Sequence, residues 1–168
     1  MAIKINTEKR IFTLETKHTM YQMQADTYGV LRHLWYGAKT GCDMSYLQDY
    51  PDVGFSGNPH DAGNDRTYSL DTLPLEYAGA GIGDFRVPAV EAVHADGSCA
   101  LDLRYYSHAV KQGKYAIAGL PALYAGEDEA ETLEVVLRDT ASAVEVTLKY
   151  GVLPELDIVT RCAEIRNL

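Results

Sequence analysis

The residues of this sequence best suited to chemistry are carboxylates in an irregular stretch at 69–88, SLDTLPLEYAGAGIGDFRVP. It carries Asp71, Glu76 and Asp84 together with Arg86. A pair of carboxylates can cleave a glycosidic bond. Carboxylates beside aromatic faces can also hold a sugar, because the ring stacks on the aromatic side chain while its hydroxyls donate to the acid. Spacing along the chain does not show which acids would meet across a sugar, so carbohydrate chemistry is indicated without a catalytic pair.

Other kinds of site lack the residues or the spacing that they need. The glycines of GAGIGDF at 79–85 resemble a dinucleotide-binding motif, but Asp84 replaces the last glycine and no strand precedes the motif. The five histidines and three cysteines (Cys42, Cys99 and Cys162) show no metal-ligand spacing and no CxxC pair. No serine lies in a GxSxG context. We therefore predict no metal site and no cofactor, and we interpret the cysteines as reduced thiols.

Charge limits the partners. The 168-residue chain carries 15 basic and 24 acidic side chains, for a net charge of −9. Nucleic acid and anionic membrane surfaces would be repelled by this field, whereas a neutral sugar would not. The N-terminus has no apolar segment typical of a signal peptide. We therefore expect a cytoplasmic protein that binds neither nucleic acid nor membrane.

Period-two alternation of apolar and polar residues dominates the chain. No stretch keeps the apolar stripe of a helix, and turn signals separate the alternating segments at intervals of roughly ten residues. This pattern is typical of an all-β antiparallel sandwich. Within it, Trp35 alternates in phase with Leu31 and is predicted to lie in the core. The predicted strands cover residues 11–14, 20–25, 31–37, 87–95, 99–110, 133–139, 144–152 and 158–168.

One irregular insertion, from about residue 38 to residue 85, interrupts the strands. A loop this long within a compact domain is usually functional or disordered. Its aromatic side chains argue for an ordered, functional loop: Tyr46, Tyr50, Phe55, Tyr68 and Tyr77. The alternation also continues to Leu168, so we expect this domain to be part of a longer protein.

Several segments resemble the N-terminal region of bacterial α-galactosidases of glycoside hydrolase family 36. These are FSGNP at 55–59, DRTYSLDTLPLEY at 65–77, GIGDFRVPA at 81–89, LDLRYYSH at 101–108 and EAETLEVVLRD at 129–139. The resemblance implies a galactose-mutarotase-like β-supersandwich over residues 1–168, truncated before a (β/α)8 barrel that this chain lacks. It also implies retaining hydrolysis of terminal α-linked galactose by two aspartates on that barrel. No catalytic residue is then expected in this chain, which would support a homo-oligomer such as a homotetramer.

The resemblance further implies a loop that reaches a galactose pocket. Asp52, three residues before FSGNP, takes the place of an aspartate that binds substrate in that family, and Arg66 matches a position near the same pocket. Asp49 or Asp43 could be the sugar-binding acid instead, because residues 38–54 match least well. Asp71, Asp84 and Arg86 are expected to pair with one another within the loop.

Two other functions are compatible with the residues. One is a freestanding carbohydrate-binding module, and the other is a structural oligomerisation domain whose carboxylates never contact sugar.

Overall fold

A computed structural model describes residues 1–48 and 60–168 and consists of two four-stranded antiparallel sheets. The first sheet contains β1 (Ile3–Asn6), β2 (Ile11–Glu15), β3 (Thr19–Ala25) and β4 (Leu31–Ala38). The second contains β5 (Arg104–Gln112), β6 (Glu131–Asp139), β7 (Val144–Leu153) and β8 (Ile158–Asn167). In both sheets each strand pairs with the next along the chain. The predicted all-β antiparallel fold is confirmed.

The main hydrophobic core lies between the two sheets. Alternate side chains of each strand point to the same face, so the apolar positions of the sequence form one buried layer per sheet. Each fully buried Leu or Phe stabilises the fold by about 1.5–3 kcal/mol relative to exposure. The fully buried contributors include Phe12, Leu14 and Met23 from the first sheet and Leu133, Val135, Val146 and Val152 from the second.

A β-bulge corrects the prediction for Trp35. Met23 pairs with His33, whereas Gln22 pairs with Trp35, so one extra residue of β4 lies between these two pairs. The extra residue reverses the alternation. Trp35 therefore lies on the opposite face of the first sheet from Leu31, where it is partly buried against a separate small apolar cluster. Hydrophobic alternation cannot reveal a bulge, because the residue types remain compatible with both faces.

The strand predicted at 87–95, and the start of the one at 99–110, are wrong. Residues 87–103 form no strand, although Leu101 and Leu103 are buried in the core. The backbone here does not pair with a strand backbone: the Leu101 amide donates to the Ala80 carbonyl at 2.9 Å, and the Asp102 amide donates to the side-chain Oδ2 of Asp139, at the end of β6, at 2.9 Å. The alternation here reflects burial of alternate side chains without a hydrogen-bonded ladder. The short β1 strand, in contrast, was not predicted.

Glu76 connects the two sheets. It lies in residues 60–85, the described part of the irregular insertion, which we call the irregular segment. Its side chain is 1% exposed and accepts hydrogen bonds from Tyr21 at 2.7 and 2.6 Å and from Tyr150 at 2.8 Å. Arg161 Nη2 lies 3.0 Å from Oε1, and His33 Nδ1 lies 3.2 Å from Oε2. Tyr21 and His33 belong to the first sheet, and Tyr150 and Arg161 to the second. One carboxylate therefore fixes the segment against both sheets.

The same environment controls the ionisation of this cluster. Burial acts to raise the pKa of the Glu76 carboxyl, but the hydrogen bond from His33, the Arg161 charge and the two phenols outweigh it and hold the pKa below its usual range. Burial and the Glu76 charge raise the pKa values of Tyr21 and Tyr150. Glu76 is thus a carboxylate that accepts hydrogen bonds from neutral phenols.

We expect Glu76→Gln to lower the free energy of unfolding by about 2–3 kcal/mol, since hydrogen bonds to a charged group are worth about 1.5–3 kcal/mol. The carboxylate stabilises the fold fully above its ordinary pKa of 4.5, and this contribution is lost as the pH falls through the lowered folded value. Urea unfolding of both proteins between pH 7 and pH 3 measures the effect. The exposed Glu155→Gln is the matched control, and an equal loss in both variants would contradict the interpretation.

A second prediction concerns the backbone contact at Gly79. A Cβ atom there would lie 2.1 Å from the Leu101 carbonyl oxygen, far inside van der Waals contact. We expect Gly79→Ala to destabilise the domain by about 1–3 kcal/mol because the two segments must separate. Thermal unfolding tests this, with Gly126→Ala as control, because a Cβ atom there would lie 3.1 Å or more from its nearest neighbours, which are carboxylate oxygens at the ends of flexible side chains. A Gly79→Ala protein as stable as the control would rule out the close approach.

Candidate functional site

The acids predicted to bind sugar differ in what the structure describes of them. Asp52 and Asp49 lie outside the described residues. Asp43 is described, and it contacts Lys9 Nζ at 2.7 Å while accepting the Ser45 amide at 2.8 Å. The hydrogen bonds from Lys9 and Ser45 lower the pKa of Asp43 to about 2. Both of its oxygens are engaged within the protein, which leaves fewer acceptor positions for a sugar than an unpaired loop carboxylate has.

Arg66 lies in a tight turn and is exposed. The Tyr68 amide donates to the Asp65 carbonyl at 3.3 Å and closes the turn. Asp65 Oδ1 accepts the Thr67 amide at 3.0 Å and the Thr67 hydroxyl at 2.6 Å, the geometry by which an aspartate side chain stabilises a turn. The Asp65 amide in turn donates to the Ala62 carbonyl at 3.0 Å. The turn therefore presents Arg66 from an internally hydrogen-bonded backbone.

A buried hydrogen bond anchors this turn to the first sheet. Tyr68 donates to Asp26 Oδ2 at 2.5 Å, and the two residues are 7% and 4% exposed. Asp26 follows β3, and its Oδ1 accepts the amides of Tyr28 and Val30 at 2.9 Å each. Burial, together with the hydrogen bond to the Asp26 carboxylate, raises the pKa of the Tyr68 hydroxyl. Tyr68 thus remains a neutral donor to Asp26.

A small apolar cluster, which we call the loop core, surrounds this hydrogen bond. It consists of Val30, Ala62, Tyr68, Leu70 and Leu73, with Tyr28, Leu75 and Ile82 packed against it. The rings of Tyr28 and Tyr68 meet edge to face with their centres 4.7 Å apart. This part of the irregular segment is held by buried apolar side chains, although it contains no strand.

Arg104 connects the second sheet to the same region. This residue begins β5, and its Nη1 donates to the Tyr28 carbonyl at 2.9 Å. Nη1 also lies 3.6 Å from Asp61 Oδ2, while Nε donates to Asp102 at 2.6 Å. Both sheets therefore contact residues that surround the Arg66 turn: the first sheet through Asp26 and the second through Arg104.

Arg86 pairs with Asp84 within the segment, as predicted, and Asp71 accepts a backbone amide of the same segment. Arg86 donates to both oxygens of Asp84, at 2.8 and 2.9 Å, and to the carbonyls of Leu70 and Leu73, at 2.8 and 2.7 Å. Asp71 Oδ1 accepts the Phe85 amide at 3.1 Å. Burial acts to raise the pKa of Asp84, but the hydrogen bonds from Arg86 outweigh it and the pKa is lowered. These residues support the segment internally.

Sequence reasoning did not single out Asp26 or assign a role to Tyr68 beyond loop order. A weak signal was present, since an acid at the start of a turn ending in Gly29 often accepts backbone amides. Nothing in the spacing joins Asp26 to a tyrosine 42 residues away. Tertiary packing alone brings them together.

Residues 1–48 and 60–168 contain neither a cluster of metal ligands nor a membrane-spanning helix. No group of three or more His, Cys, Asp or Glu side chains there is arranged to hold a metal ion. In the same part of the chain, no helix has the length and apolar character needed to cross a bilayer.

The N-terminal domain model of glycosyl hydrolase family 36 matches residues 29–168. The chain is 53% identical to the bifunctional alpha-galactosidase/sucrose kinase AgaSK of Mediterraneibacter gnavus, covering 99% of this chain and 18% of that protein. It is 40% identical to the alpha-galactosidase AgaA of Geobacillus stearothermophilus, covering 99% of this chain and 23% of that protein. The chain thus spans less than a quarter of the length of these relatives.

Solved structures agree with these relationships. The galactosidase domain of AgaSK superposes with a TM-score of 0.96 at 52% identity, covering 99% of this chain and 23% of that one. AgaA from Geobacillus stearothermophilus (A355E D548N), solved in complex with raffinose, superposes with a TM-score of 0.85 at 38% identity, covering 94% of this chain and 22% of that one. The two sheets, their strand order and the matched residues therefore lead to one conclusion: this chain belongs to the N-terminal domain family of glycosyl hydrolase family 36.

Proposed function

We propose that this chain is the N-terminal domain of a retaining α-galactosidase that hydrolyses terminal α-D-galactosyl residues in oligosaccharides. In this proposal the domain contributes Arg66 and Asp52 to the galactose pocket. The observation that carries it is the exposed arginine on an internally hydrogen-bonded turn, which the buried hydrogen bond from Tyr68 to Asp26 anchors to the first sheet. Related enzymes that have been solved with raffinose and with stachyose support oligosaccharides as the substrate class.

The two side chains suit complementary roles toward a sugar. An ionised Asp52 would accept hydrogen bonds from galactose hydroxyls, and the Arg66 guanidinium would donate to sugar oxygens or hold Asp52 in place. A turn that is ordered before substrate arrives reduces the entropy lost on binding. A neutral oligosaccharide would also be little affected by the net charge of −9.

The chemical step is assigned to another part of the parent enzyme. Two aspartates on a (β/α)8 barrel would act as nucleophile and as general acid/base, forming and then hydrolysing a galactosyl-enzyme. The 168-residue domain alone would then be inactive. We further propose a cytoplasmic homotetramer in which the loop completes the pocket of its own or a neighbouring subunit.

A purely structural assembly role is the second candidate, and exposed apolar side chains favour it. Phe85, Val87 and Tyr124 are 83%, 95% and 89% exposed. Exposed apolar side chains can mark a protein–protein interface, and aromatic residues such as Phe85 and Tyr124 are enriched in interfaces. An assembly domain without a sugar role would leave substrate affinity unaffected by Arg66 and Asp52.

We expect Arg66→Ala and Asp52→Ala, each in the full-length enzyme, to raise KM for raffinose about tenfold or more while kcat changes less. Each variant loses a hydrogen bond involving a charged group, worth about 1.5–3 kcal/mol. Steady-state kinetics with raffinose and an aryl α-galactoside measure the effect. Arg166→Ala is the matched control, because Arg166 is exposed on β8 and pairs with Glu164. Unchanged KM in both test variants would favour the structural role.

We also expect the purified 168-residue domain to show no turnover of an aryl α-galactoside, because the catalytic aspartates are assigned outside it. The full-length enzyme at equal molar concentration is the positive control, and circular dichroism verifies that the domain is folded. Hydrolysis by the folded domain would contradict this division of labour.

A further inference from the structure

We propose that Asp26 and Tyr68 are positioning residues that set the affinity for galactoside by fixing the turn that carries Arg66. The inference rests on the proposed function of Arg66 and extends it to two residues that would not touch the sugar. Its basis is the buried hydrogen bond from Tyr68 to Asp26. Tyr68 follows Arg66 by two residues in the chain.

Tyr68 is held in place through its hydroxyl, its ring and its backbone amide. Its hydroxyl donates to Asp26 at 2.5 Å, and its ring packs edge to face against Tyr28 within the loop core. Its amide closes the turn by donating to the Asp65 carbonyl at 3.3 Å. Moving Arg66 as part of this turn would therefore require breaking a buried hydrogen bond or opening the loop core.

Asp26 is itself fixed by the sheet. Its Oδ1 accepts two backbone amides of the turn between β3 and β4, and Arg32 Nε lies 3.5 Å from Oδ2. Its backbone also pairs within that turn, since the Asp26 amide donates to the Val30 carbonyl at 3.0 Å. A continuous path of short contacts thus runs from the first sheet through Asp26 and Tyr68 to the turn bearing Arg66.

Loss of this path would affect binding geometry more than the fold. A guanidinium that is held less firmly loses more conformational entropy when it is ordered against the sugar, which weakens binding by roughly two- to tenfold although the group remains present. Tyr68→Phe keeps the ring in the loop core and removes only the donor to Asp26. The variant should therefore fold, with a turn that is less well fixed.

The domain offers a matched control at Glu76. Tyr150 donates to that carboxylate at 2.8 Å and is 1% exposed, so Tyr150→Phe also removes one buried phenol–carboxylate hydrogen bond. Glu76 belongs to the same irregular segment but not to the 65–68 turn. Any effect that arises merely from reduced stability should appear in both variants.

The experiment compares Tyr68→Phe, Asp26→Asn, Tyr150→Phe, Arg66→Ala and the Tyr68→Phe/Arg66→Ala double variant in the full-length enzyme. KM and kcat for raffinose and the melting temperature are measured for each. We expect Tyr68→Phe and Asp26→Asn to raise KM about fivefold, with kcat within about twofold. Tyr150→Phe should lower the melting temperature by about as much as Tyr68→Phe does, but it should leave KM within about twofold of wild type. In the Arg66→Ala background, Tyr68→Phe should raise KM no further.

The other possible outcomes distinguish a failure of the positioning role from a failure of the role proposed for Arg66. Unchanged KM in Tyr68→Phe and Asp26→Asn, with raised KM in Arg66→Ala, would overturn the positioning role and leave the proposed function intact. Unchanged KM in Arg66→Ala would overturn the role of Arg66 itself. Equal rises of KM in Tyr68→Phe and Tyr150→Phe, or fully additive effects in the double variant, would also overturn the positioning role, because the effect would then not act through Arg66.

Discussion

The buried carboxylate of Glu76 is the interaction on which the rest of this domain depends. An ionised group inside a protein is tolerated only when donors or opposite charges replace its water. Here the donors come from both sheets, through Tyr21 and His33 on one side and Tyr150 and Arg161 on the other. The sheets and the irregular segment must therefore adopt one relative arrangement, because any other would leave the charge unpaired.

The same chemistry recurs closer to the candidate site. Asp26 accepts a hydrogen bond from Tyr68, as Glu76 accepts hydrogen bonds from Tyr21 and Tyr150. Phenol–carboxylate hydrogen bonds therefore fix the irregular segment at two separate points. Between and beyond them, the loop core and the Arg86–Asp84 pair provide further contacts. Residues 60–85 are thus ordered by side-chain contacts and by isolated β-bridges such as that between Leu75 and Arg32, without forming a strand. An ordered segment can hold a sugar-binding side chain in place before substrate arrives.

This arrangement is compatible with the supporting role in a glycosidase that we propose for the domain. The chain belongs to the family 36 N-terminal domains and spans less than a quarter of its relatives' length. Its carboxylates at Glu76, Asp84 and Asp26 are engaged by protein donors, so they maintain geometry and are not free to attack a glycosidic bond. Its exposed aromatic side chains, such as Phe85 and Tyr124, are of the kind that anchors protein–protein contacts. Support of a pocket and contact with other parts of an enzyme are compatible uses of one rigid scaffold.

The sequence by itself determined the fold class, most of the strands and the family, because period-two alternation follows directly from the geometry of a strand and because the matching segments extend along the chain. Tertiary structure decided the rest. The bulge that moves Trp35 to the other face leaves no mark in residue type, and burial of Leu101 and Leu103 produces alternation without a strand. Above all, Glu76 meets tyrosines that lie 55 and 74 residues away. Which acids would be enclosed by donors and which would remain free depended on packing between the sheets, a property that local spacing does not encode.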